Sequence, residues 1–267
     1  MELLVKPNAV KTITADVRPG YLFTTWSGNT QYINPLLATT TIVMPDANVT
    51  LTAEYSRVFS PISYIGSNSI YAQLGNPVSV GVTIPTNAKL LVVCIKSPQG
   101  GFRTYGIPTI NGINLTQVGN YAGVGYSEIW YIVNPPIGLY TLLVPNLSSV
   151  NLTVVSSWYS SASPISLYGY SFYSGASLTH GGSISVPSDT EVLLIDSSAI
   201  RSYGTYKTLW GSSSGNIIFA GTLNASFGTL TQYSTYNTGI NATGSLTYQY
   251  GNALQPWYDL IAIFKSI

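Results

Sequence analysis

The amino-acid sequence predicts an all-β protein, with a small β domain at residues 1–57 followed by a large antiparallel jelly-roll-like β-sandwich at residues 58–267. Three observations predict this fold. Strand-like runs recur at spacings of roughly 8 to 12 residues, with Gly, Pro, Asn or Ser between them. No window of helix length has a 3.6-residue apolar periodicity. The pattern of strands and turns changes near residue 57, which places the domain boundary there.

The chain has very little charge for its length. Charged residues make up 7% of the sequence, against about 25% in an ordinary soluble domain. Ten Lys and Arg balance nine Asp and Glu, and no basic cluster exists that could neutralise phosphates, so a nucleic-acid partner is not expected. A neutral surface rich in hydroxyls and tyrosines suits a protein covered by sugars or by neighbouring subunits. We therefore expect self-association or contact with other structural subunits.

No segment approaches 18 consecutive apolar residues, so we expect no membrane insertion. The first ten residues, MELLVKPNAV, lack the basic and apolar regions of a secretory signal. An exterior location would then require that a signal was removed, or that the protein leaves the cell within a virus particle released by lysis. The sequence therefore predicts an extracellular or virion-surface protein.

The N-terminal domain carries an ordered set of aromatic and turn residues. Tyr21, Phe23 and Trp26 precede Gly28 in the segment GYLFTTWSG, an Asn-Pro pair follows, and residues 44–48 form a turn between two β-branched runs. We expect Trp26 to fill the small core beside the other two aromatic residues. The stretch from Gly20 to Tyr55 resembles the internalin-type B-repeat family. That resemblance implies a spacer or stalk module on a secreted or surface protein, without catalytic residues.

The larger domain contains an internal echo. Val80–Ile95 and Gly182–Ser197 each run from a polar strand through a proline turn into a strongly apolar strand. Pro85 aligns with Pro187, which places Leu90–Leu91 against Val192–Leu193. We interpret the two copies as the two sheets of one sandwich.

Two turns in this domain have clear chemistry. Asn111–Gly112 predicts a hairpin, and Asn134–Pro136 followed by Gly138 predicts a corner that ends a strand and denies an edge to neighbours. With the segments EIWYIVNPPIGLYTLLV and WYDLIAIFKSI, residues from about Ile65 to Ile267 resemble a family of surface β-sandwich domains with the pattern E-x-W-Y-x-x-N-P-P-x-G. Its members are extracellular proteins of bacteria and archaea and structural proteins of phages. The resemblance implies a concanavalin-like or jelly-roll sandwich and no particular activity.

The sequence offers little for catalysis, and we expect a non-enzymatic protein without cofactor or metal. The one cysteine, Cys94, lies in an apolar run, and the one histidine, His180, lies in a Gly-rich turn. A glycosidase would need two carboxylates about 5 to 10 Å apart. Glu128 and Asp196 could be imagined as such a pair, but no second signal supports it. We expect Glu128 to be a strand-entry residue that meets solvent or Arg103, and Asp196 to be buried among hydroxyls.

Several Asn-x-Ser/Thr sequons predict glycosylation on an exterior protein. A chain rich in Asn, Ser and Thr produces some of these by chance, so each one is weak evidence. The six acceptor candidates are Asn48, Asn114, Asn146, Asn151, Asn224 and Asn241.

The segment from Ser157 to Gly175 combines aromatic residues with small polar ones, as adaptable recognition surfaces and sugar-stacking platforms do. The alternative is that the same aromatic residues fill a core or a subunit contact. The candidate ligand-binding residues are Trp158, Tyr159, Tyr168, Tyr170 and Tyr173.

Taken together, the residues predict a surface structural and adhesion protein. Our first hypothesis is a virion spike, fibre or decoration subunit that contacts host surface glycans. The sequons, the low charge and the many tyrosines suggest the exterior of a thermophilic archaeon or of a virus that infects one. The second is a cellular extracellular filament or surface-layer-associated glycoprotein subunit, in which the N-terminal strand region could complete a neighbour's sheet. The third is a carbohydrate-binding lectin or a glycoside-active enzyme.

Overall fold

A computed structural model of the chain divides into two compact units, Met1–Phe59 and Ser60–Ile267. The division lies two residues from the boundary predicted by the sequence pattern. The structure describes residues 6–18, 20–58, 60–73, 76–97, 106–122, 126–146, 152–177, 179–180, 183–184, 191–200, 208–210, 213–214, 216–225, 228–240, 244–249 and 255–267.

Every regular element in these ranges is a β-strand apart from one 3₁₀ turn at Thr30–Tyr32, so the prediction of an all-β fold is confirmed. Within the described residues no helix is long and apolar enough to span a membrane.

The first unit consists of two antiparallel ribbons. One ribbon pairs the first strand with the third, and the other pairs the second with the fourth. The four strands are β1 (Val10–Thr14), β2 (Tyr21–Gly28), β3 (Thr39–Val43) and β4 (Leu51–Arg57).

Trp26 is the centre of this unit's small core, as the sequence predicted. Its side chain is buried, and its Nε1 donates a hydrogen bond to the carbonyl of Leu37 at 3.0 Å. The ring of Phe23 lies between Trp26 and Tyr55, with centroid distances of 5.7 and 6.2 Å. Edge contacts of this kind add to the burial of the rings themselves. The aromatic set thus holds the β2–β4 ribbon against the segment that leads into β3.

The second unit begins with a jelly roll, here called jelly roll 1. Its strands in the described residues are β5 (Ser63–Gln73), β6 (Val78–Ile84), β7 (Leu90–Ser97), β8 (Thr109–Ile110), β9 (Ile113–Asn114), β10 (Thr116–Ala122), β11 (Tyr126–Val133), β12 (Gly138–Val144) and β13 (Leu152–Ser160).

The strand order identifies the topology. One sheet has the order β10-β11-β7-β13-β5 and the other has the order β6-β12-β8-β9, with antiparallel pairing throughout. Along the chain the strands alternate between the two sheets, except that β8 and β9 form a hairpin within one sheet and β10 and β11 form a hairpin within the other. This is the jelly-roll arrangement. A core of Val, Leu, Ile and Trp side chains fills the space between the sheets, including Val80, Leu91, Ile110, Trp130 and Leu142.

Both turns predicted from the sequence occupy defined places in jelly roll 1. Asn111 and Gly112 have φ angles of 49° and 73° and join β8 to β9, so the predicted hairpin is confirmed. The Asn-Pro-Pro-x-Gly corner joins β11 in one sheet to β12 in the other, and Asn134 has a φ of 50°. The corner was predicted to end a strand. It also carries the chain across the core from one sheet to the other.

A second jelly roll, jelly roll 2, follows directly. Its strands are β14 (Ile165–Ser177), β15 (Thr179–His180), β16 (Ser183–Ile184), β17 (Glu191–Ile200), β18 (Thr208–Trp210), β19 (Ser213–Ser214), β20 (Asn216–Ala225), β21 (Gly228–Ile240), β22 (Gly244–Gln249) and β23 (Gln255–Ser266).

The strand orders of jelly roll 2 repeat those of jelly roll 1. Its five-stranded sheet has the order β20-β21-β17-β23-β14, and its second sheet has the order β15-β22-β18-β19, with β16 also on β22. Each strand corresponds to the one at the same place in jelly roll 1. Even the irregularities repeat, since β5 and β14 each carry a bulge immediately before a glycine, Gly66 in one copy and Gly169 in the other.

The sequence contains a short repeated motif that reflects this duplication and that was not recognised in the sequence analysis. Ser60–Ser63 and Ser163–Ser166 both read Ser-Pro-Ile-Ser, and each is followed three residues later by the glycine next to the bulge. The predicted sandwich-like fold is confirmed, but the interpretation of the two echoing segments as the two sheets of one sandwich is wrong. The two echoing segments belong to two jelly rolls, and each segment spans both sheets of its own copy.

The strand pairing also corrects the alignment of the echo by one residue. Leu90 pairs with Tyr159 on β13, and Leu193 pairs with Phe264 on β23, so Leu90 corresponds to Leu193 and not to Val192. All four of these residues lie in the core shared by the two jelly rolls. A slip of one residue would turn every side chain of the strand to the opposite face.

The two jelly rolls pack through their five-stranded sheets across a pseudo-two-fold axis. Strand β10 contacts β14 and β23, and the corresponding β20 contacts β5 and β13. Reciprocal contacts of this kind define an isologous interface. Ser60 and Ser163 are equivalent residues, and their Oγ atoms are 2.7 Å apart, which places them at the axis. Tyr131 and Phe264 meet across the interface with ring centroids 5.3 Å apart.

Candidate functional site

The structure separates the five candidate ligand-binding residues into two groups. Trp158 and Tyr159 belong to core clusters, with 8% and 0% of their surface exposed. The prediction of a binding role for these two is corrected, because a fully packed ring has no face left for a ligand. Both lie on β13, a strand with a neighbour on each side and a covered face above and below.

The remaining candidates lie on β14, which forms the outer edge of its sheet. Tyr170 and Phe172 are two residues apart on the strand, so both side chains lie on the face of the sheet towards jelly roll 1. They are 56% and 40% exposed. We call these two side chains the β14 ledge. Tyr168, also exposed, precedes the bulge glycine and lies near Lys265, whose Nζ is 5.5 Å from the ring centroid. Tyr173 is half-buried.

The β14 ledge is built on neighbouring strands of both jelly rolls. A Cβ atom added at Gly119 of β10 would lie 3.1 Å from Tyr170 Cε2 and 3.5 Å from Leu260 Cδ1. The absence of a side chain at Gly119 therefore lets the Tyr170 ring approach β10. One edge of the Tyr170 ring contacts β10, and 56% of the residue remains exposed to solvent. An aromatic face held in this way is suited to stack on a flat ligand.

Glu128 does not face solvent, which corrects our expectation from the sequence. It is fully buried inside jelly roll 1. Its Oε1 accepts hydrogen bonds from Gln117 Nε2 at 2.7 Å and from the Tyr126 hydroxyl, and its Oε2 accepts one from Trp130 Nε1 at 2.8 Å. A buried carboxylate is tolerated when donors surround it in this way. Because three donors bind its carboxylate, Glu128 has a structural role in the core.

Replacing Glu128 by Gln is expected to lower the free energy of unfolding by about 1–3 kcal/mol. In glutamine an NH₂ group replaces one carboxylate oxygen, so a donor would stand where an acceptor is needed. The hydrogen bonds to the remaining oxygen would weaken because the side chain would no longer be charged. Urea unfolding measures the change. Glu54→Gln, at an exposed position in the first unit, is the control and should change stability by less than about 0.5 kcal/mol. Equal changes in the free energy of unfolding for the two substitutions would contradict the structural role of Glu128.

Asp196 is buried, as the sequence predicted, but it is not adjacent to Glu128. Its neighbours along β17, Ile195 and Ser197, face the shared core, where Ser197 Oγ lies 2.7 Å from Ser127 Oγ of jelly roll 1. Asp196 therefore points to the opposite side of its sheet. Glu128 points into the core of jelly roll 1 with Trp130, so two sheets lie between the carboxylates. The arrangement provides no common groove for them.

The structure also locates Cys94, His180 and the potential metal ligands. Cys94 is buried in the shared core, as predicted. His180 was predicted to lie in a turn; it lies instead on β15, paired with Tyr248 of β22, and its side chain is outside the described part. In the described residues no three His, Cys, Asp or Glu side chains come together as a metal site would require.

The sequons differ in accessibility. Asn48 and Asn114 are exposed, the first in the turn before β4 and the second at the end of β9. Asn146 has no exposed surface, so it is a poor acceptor in the folded chain. Asn224 lies on β20 with its side chain outside the described part, and Asn151 and Asn241 lie outside the described residues.

Comparison with known proteins bears on the first unit. Residues 4–59 match the family described as Divergent InlB B-repeat domain. The match supports the B-repeat-like segment predicted from the residues between Gly20 and Tyr55. Domains of this type are typical of extracellular and surface proteins. No curated protein and no solved structure gives a significant match to the chain, and the second predicted family resemblance stays a prediction.

Proposed function

We propose that this protein is a non-enzymatic structural and adhesion protein, and specifically a virion spike, fibre or decoration subunit that contacts host surface glycans. The B-repeat-like unit is the stalk, and the pair of jelly rolls is the head. The observation that carries the proposal is the β14 ledge, two exposed aromatic side chains on the edge strand of a nearly uncharged head. Neutral sugars are recognised by stacking and hydroxyl contacts and need no charged site.

The buried acids support a role without catalysis. General acid–base chemistry requires a carboxylate that can reach a substrate. Glu128 and Asp196 have no exposed surface, and they point away from each other on two separate sheets. The ledge, by contrast, presents rings and no carboxylate.

A cellular filament or surface-layer-associated glycoprotein is the second candidate. The exposed sequons Asn48 and Asn114 favour it, because glycans at these positions would project from the folded chain. Both candidates place the protein on an exterior surface, and they differ in the particle that carries it.

Tyr170→Ala is expected to weaken binding to host surface glycans about tenfold, since roughly 1.4 kcal/mol of lost stacking corresponds to that factor. The measurement is a titration of the fluorescently labelled full-length protein onto glycans released from the surface of the native host. Tyr168→Ala is the matched control, because Tyr168 is an exposed tyrosine of the same strand that lies at the bulge, beside Lys265. Equal binding by both variants and the unaltered protein would rule out the ledge as the glycan contact.

A further inference from the structure

The free edge of β3 in the first unit lies beside an open depression of about 460 Å³. One wall is the strand itself, and the other is the segment that contains the 3₁₀ turn. The lining residues are Gln31, Tyr32, Ile33, Asn34, Leu37, Thr39, Thr40 and Thr41. Three consecutive residues of one strand can line a depression together only where the strand presents its edge, because alternate side chains point to opposite faces.

The hydrogen bonds to β1 show which backbone groups of β3 face the depression. The carbonyl of Ala38 accepts from the Ala15 amide at 2.8 Å, and the Met44 amide donates to the carbonyl of Ala9 at 3.0 Å. In an antiparallel pair every second residue directs both its N–H and its C=O to the partner strand. Ala38, Thr40, Ile42 and Met44 therefore face β1. Thr39, Thr41 and Val43 direct their backbone groups away from β1, towards the open edge.

Those outward groups are available for pairing. Within the described residues β3 pairs only with β1, and no backbone hydrogen bond joins Thr39, Thr41 or Val43 to another element. An unpaired strand edge is a template for a further strand. The free edge of β2, by comparison, is partly occupied, since the Trp26 amide donates to the carbonyl of Pro35 at 2.9 Å.

The opposite wall is held at a fixed distance from the strand. The Asn34 amide donates to Thr40 Oγ1 at 3.2 Å, and Asn34 Oδ1 accepts from the Leu36 amide at 3.1 Å. The depression is therefore a feature of the folded unit. Tyr32 and Leu37 add apolar surface to it, at 36% and 51% exposure.

We propose that this edge is a strand-addition site that binds an extended, uncharged peptide segment of a partner protein. The peptide backbone would bond to Thr39, Thr41 and Val43, and its side chains would contact Tyr32 and Leu37. None of the eight lining residues is charged, so a charged side chain of a bound peptide would lose its hydration without gaining an ion-pair partner. Main-chain bonds supply affinity in this mode, and alternate side chains supply specificity. The inference is independent of the glycan contact proposed for the β14 ledge.

The test uses the full-length chain and a synthetic peptide with the sequence of residues 9–15 carrying Lys11→Thr. This sequence matches the pattern of β1, which already pairs with the other edge of β3. Fluorescence anisotropy should give saturable binding. N-methylation of alternate amides on one edge of the peptide should weaken binding at least tenfold, and N-methylation on the other edge should leave it unchanged, because only one edge meets β3.

Two protein variants complete the test. Thr41→Pro removes an outward N–H and should weaken binding at least tenfold, while Thr41→Ala keeps that N–H and should bind as the unaltered protein does. The N-methylated peptides report on the site even if the proline variant folds poorly. The proposal is overturned if no saturable binding occurs at millimolar peptide, if both N-methylated peptides lose binding equally, or if a neutral oligosaccharide binds the depression and the peptide does not.

Discussion

Replacing Gly66 by Ala will lower the free energy of unfolding of the jelly-roll unit by about 1–3 kcal/mol, because it overfills a packed core. A Cβ atom at this position would lie 2.6 Å from Trp158 Nε1 and 2.9 Å from Trp158 Cε2. Trp158 is 8% exposed and pairs across the strands with Gly66. A rigid indole in a filled core cannot move aside without displacing its neighbours. Urea denaturation of the full-length protein measures the loss.

The duplicated fold supplies the control for this prediction. Gly169 is the equivalent glycine of jelly roll 2, and it pairs with Ile263 where Gly66 pairs with Trp158. A Cβ atom at Gly169 would meet nothing within 4 Å. Gly169→Ala should therefore leave stability within about 0.5 kcal/mol of the original, or raise it slightly by restricting the unfolded chain. Equal losses at the two glycines would contradict both the packing of Trp158 and the correspondence of the two copies.

Gly28→Ala is expected to unfold the B-repeat-like unit. Gly28 has a φ of +97°, and a Cβ atom there would lie 2.3 Å from the carbonyl oxygen of Thr50. That oxygen belongs to the backbone and accepts a hydrogen bond from Asn29, so it has no freedom to move. We expect a loss of more than about 3 kcal/mol, which a unit of this size cannot absorb. Limited proteolysis should then cleave within residues 6–58 and leave residues 60–267 intact.

Gly20→Ala is the control within the same unit. Gly20 also has a positive φ, +77°, but nothing lies within 4 Å of a Cβ atom placed there. The cost should be limited to backbone strain of about 1–2 kcal/mol. Proteolysis of the Gly20→Ala protein should resemble that of the unaltered one. A Gly28→Ala protein that resists proteolysis equally well would contradict the close approach of β2 to Thr50.

Local chemistry in the sequence was sufficient to predict the elements of the fold. The alternating runs predicted strands, Asn111–Gly112 predicted a hairpin, and Trp26 with Phe23 predicted the core of the first unit. Each of these predictions depends on residues close together in the chain. The number of sandwiches depends on which strands pair over long separations. Two copies of a strand-turn-strand segment look alike in sequence whether they form one sandwich or two.

The candidate site was predicted only in part for a related reason. Aromatic residues lie among small polar ones on both β13 and β14, so composition alone did not separate buried Trp158 and Tyr159 from exposed Tyr170. The difference arises because β13 lies inside its sheet and β14 at the edge. The burial of Glu128 was not predicted because it depends on the pairing of β10 with β11. Its donors Gln117 and Trp130 lie on paired strands, and their proximity follows from the register.

The central claim is that this chain is a structural protein of an exterior surface, and the location of the native protein tests it most directly. A native culture would be separated into purified virions, surface filaments with envelope, and cytosol. Peptides from residues 60–267 would then be quantified by mass spectrometry in each fraction. The account predicts enrichment in virions, or in the filament and envelope fraction if the second candidate holds. Recovery of the protein mainly from the cytosol, with none in either surface fraction, would contradict it.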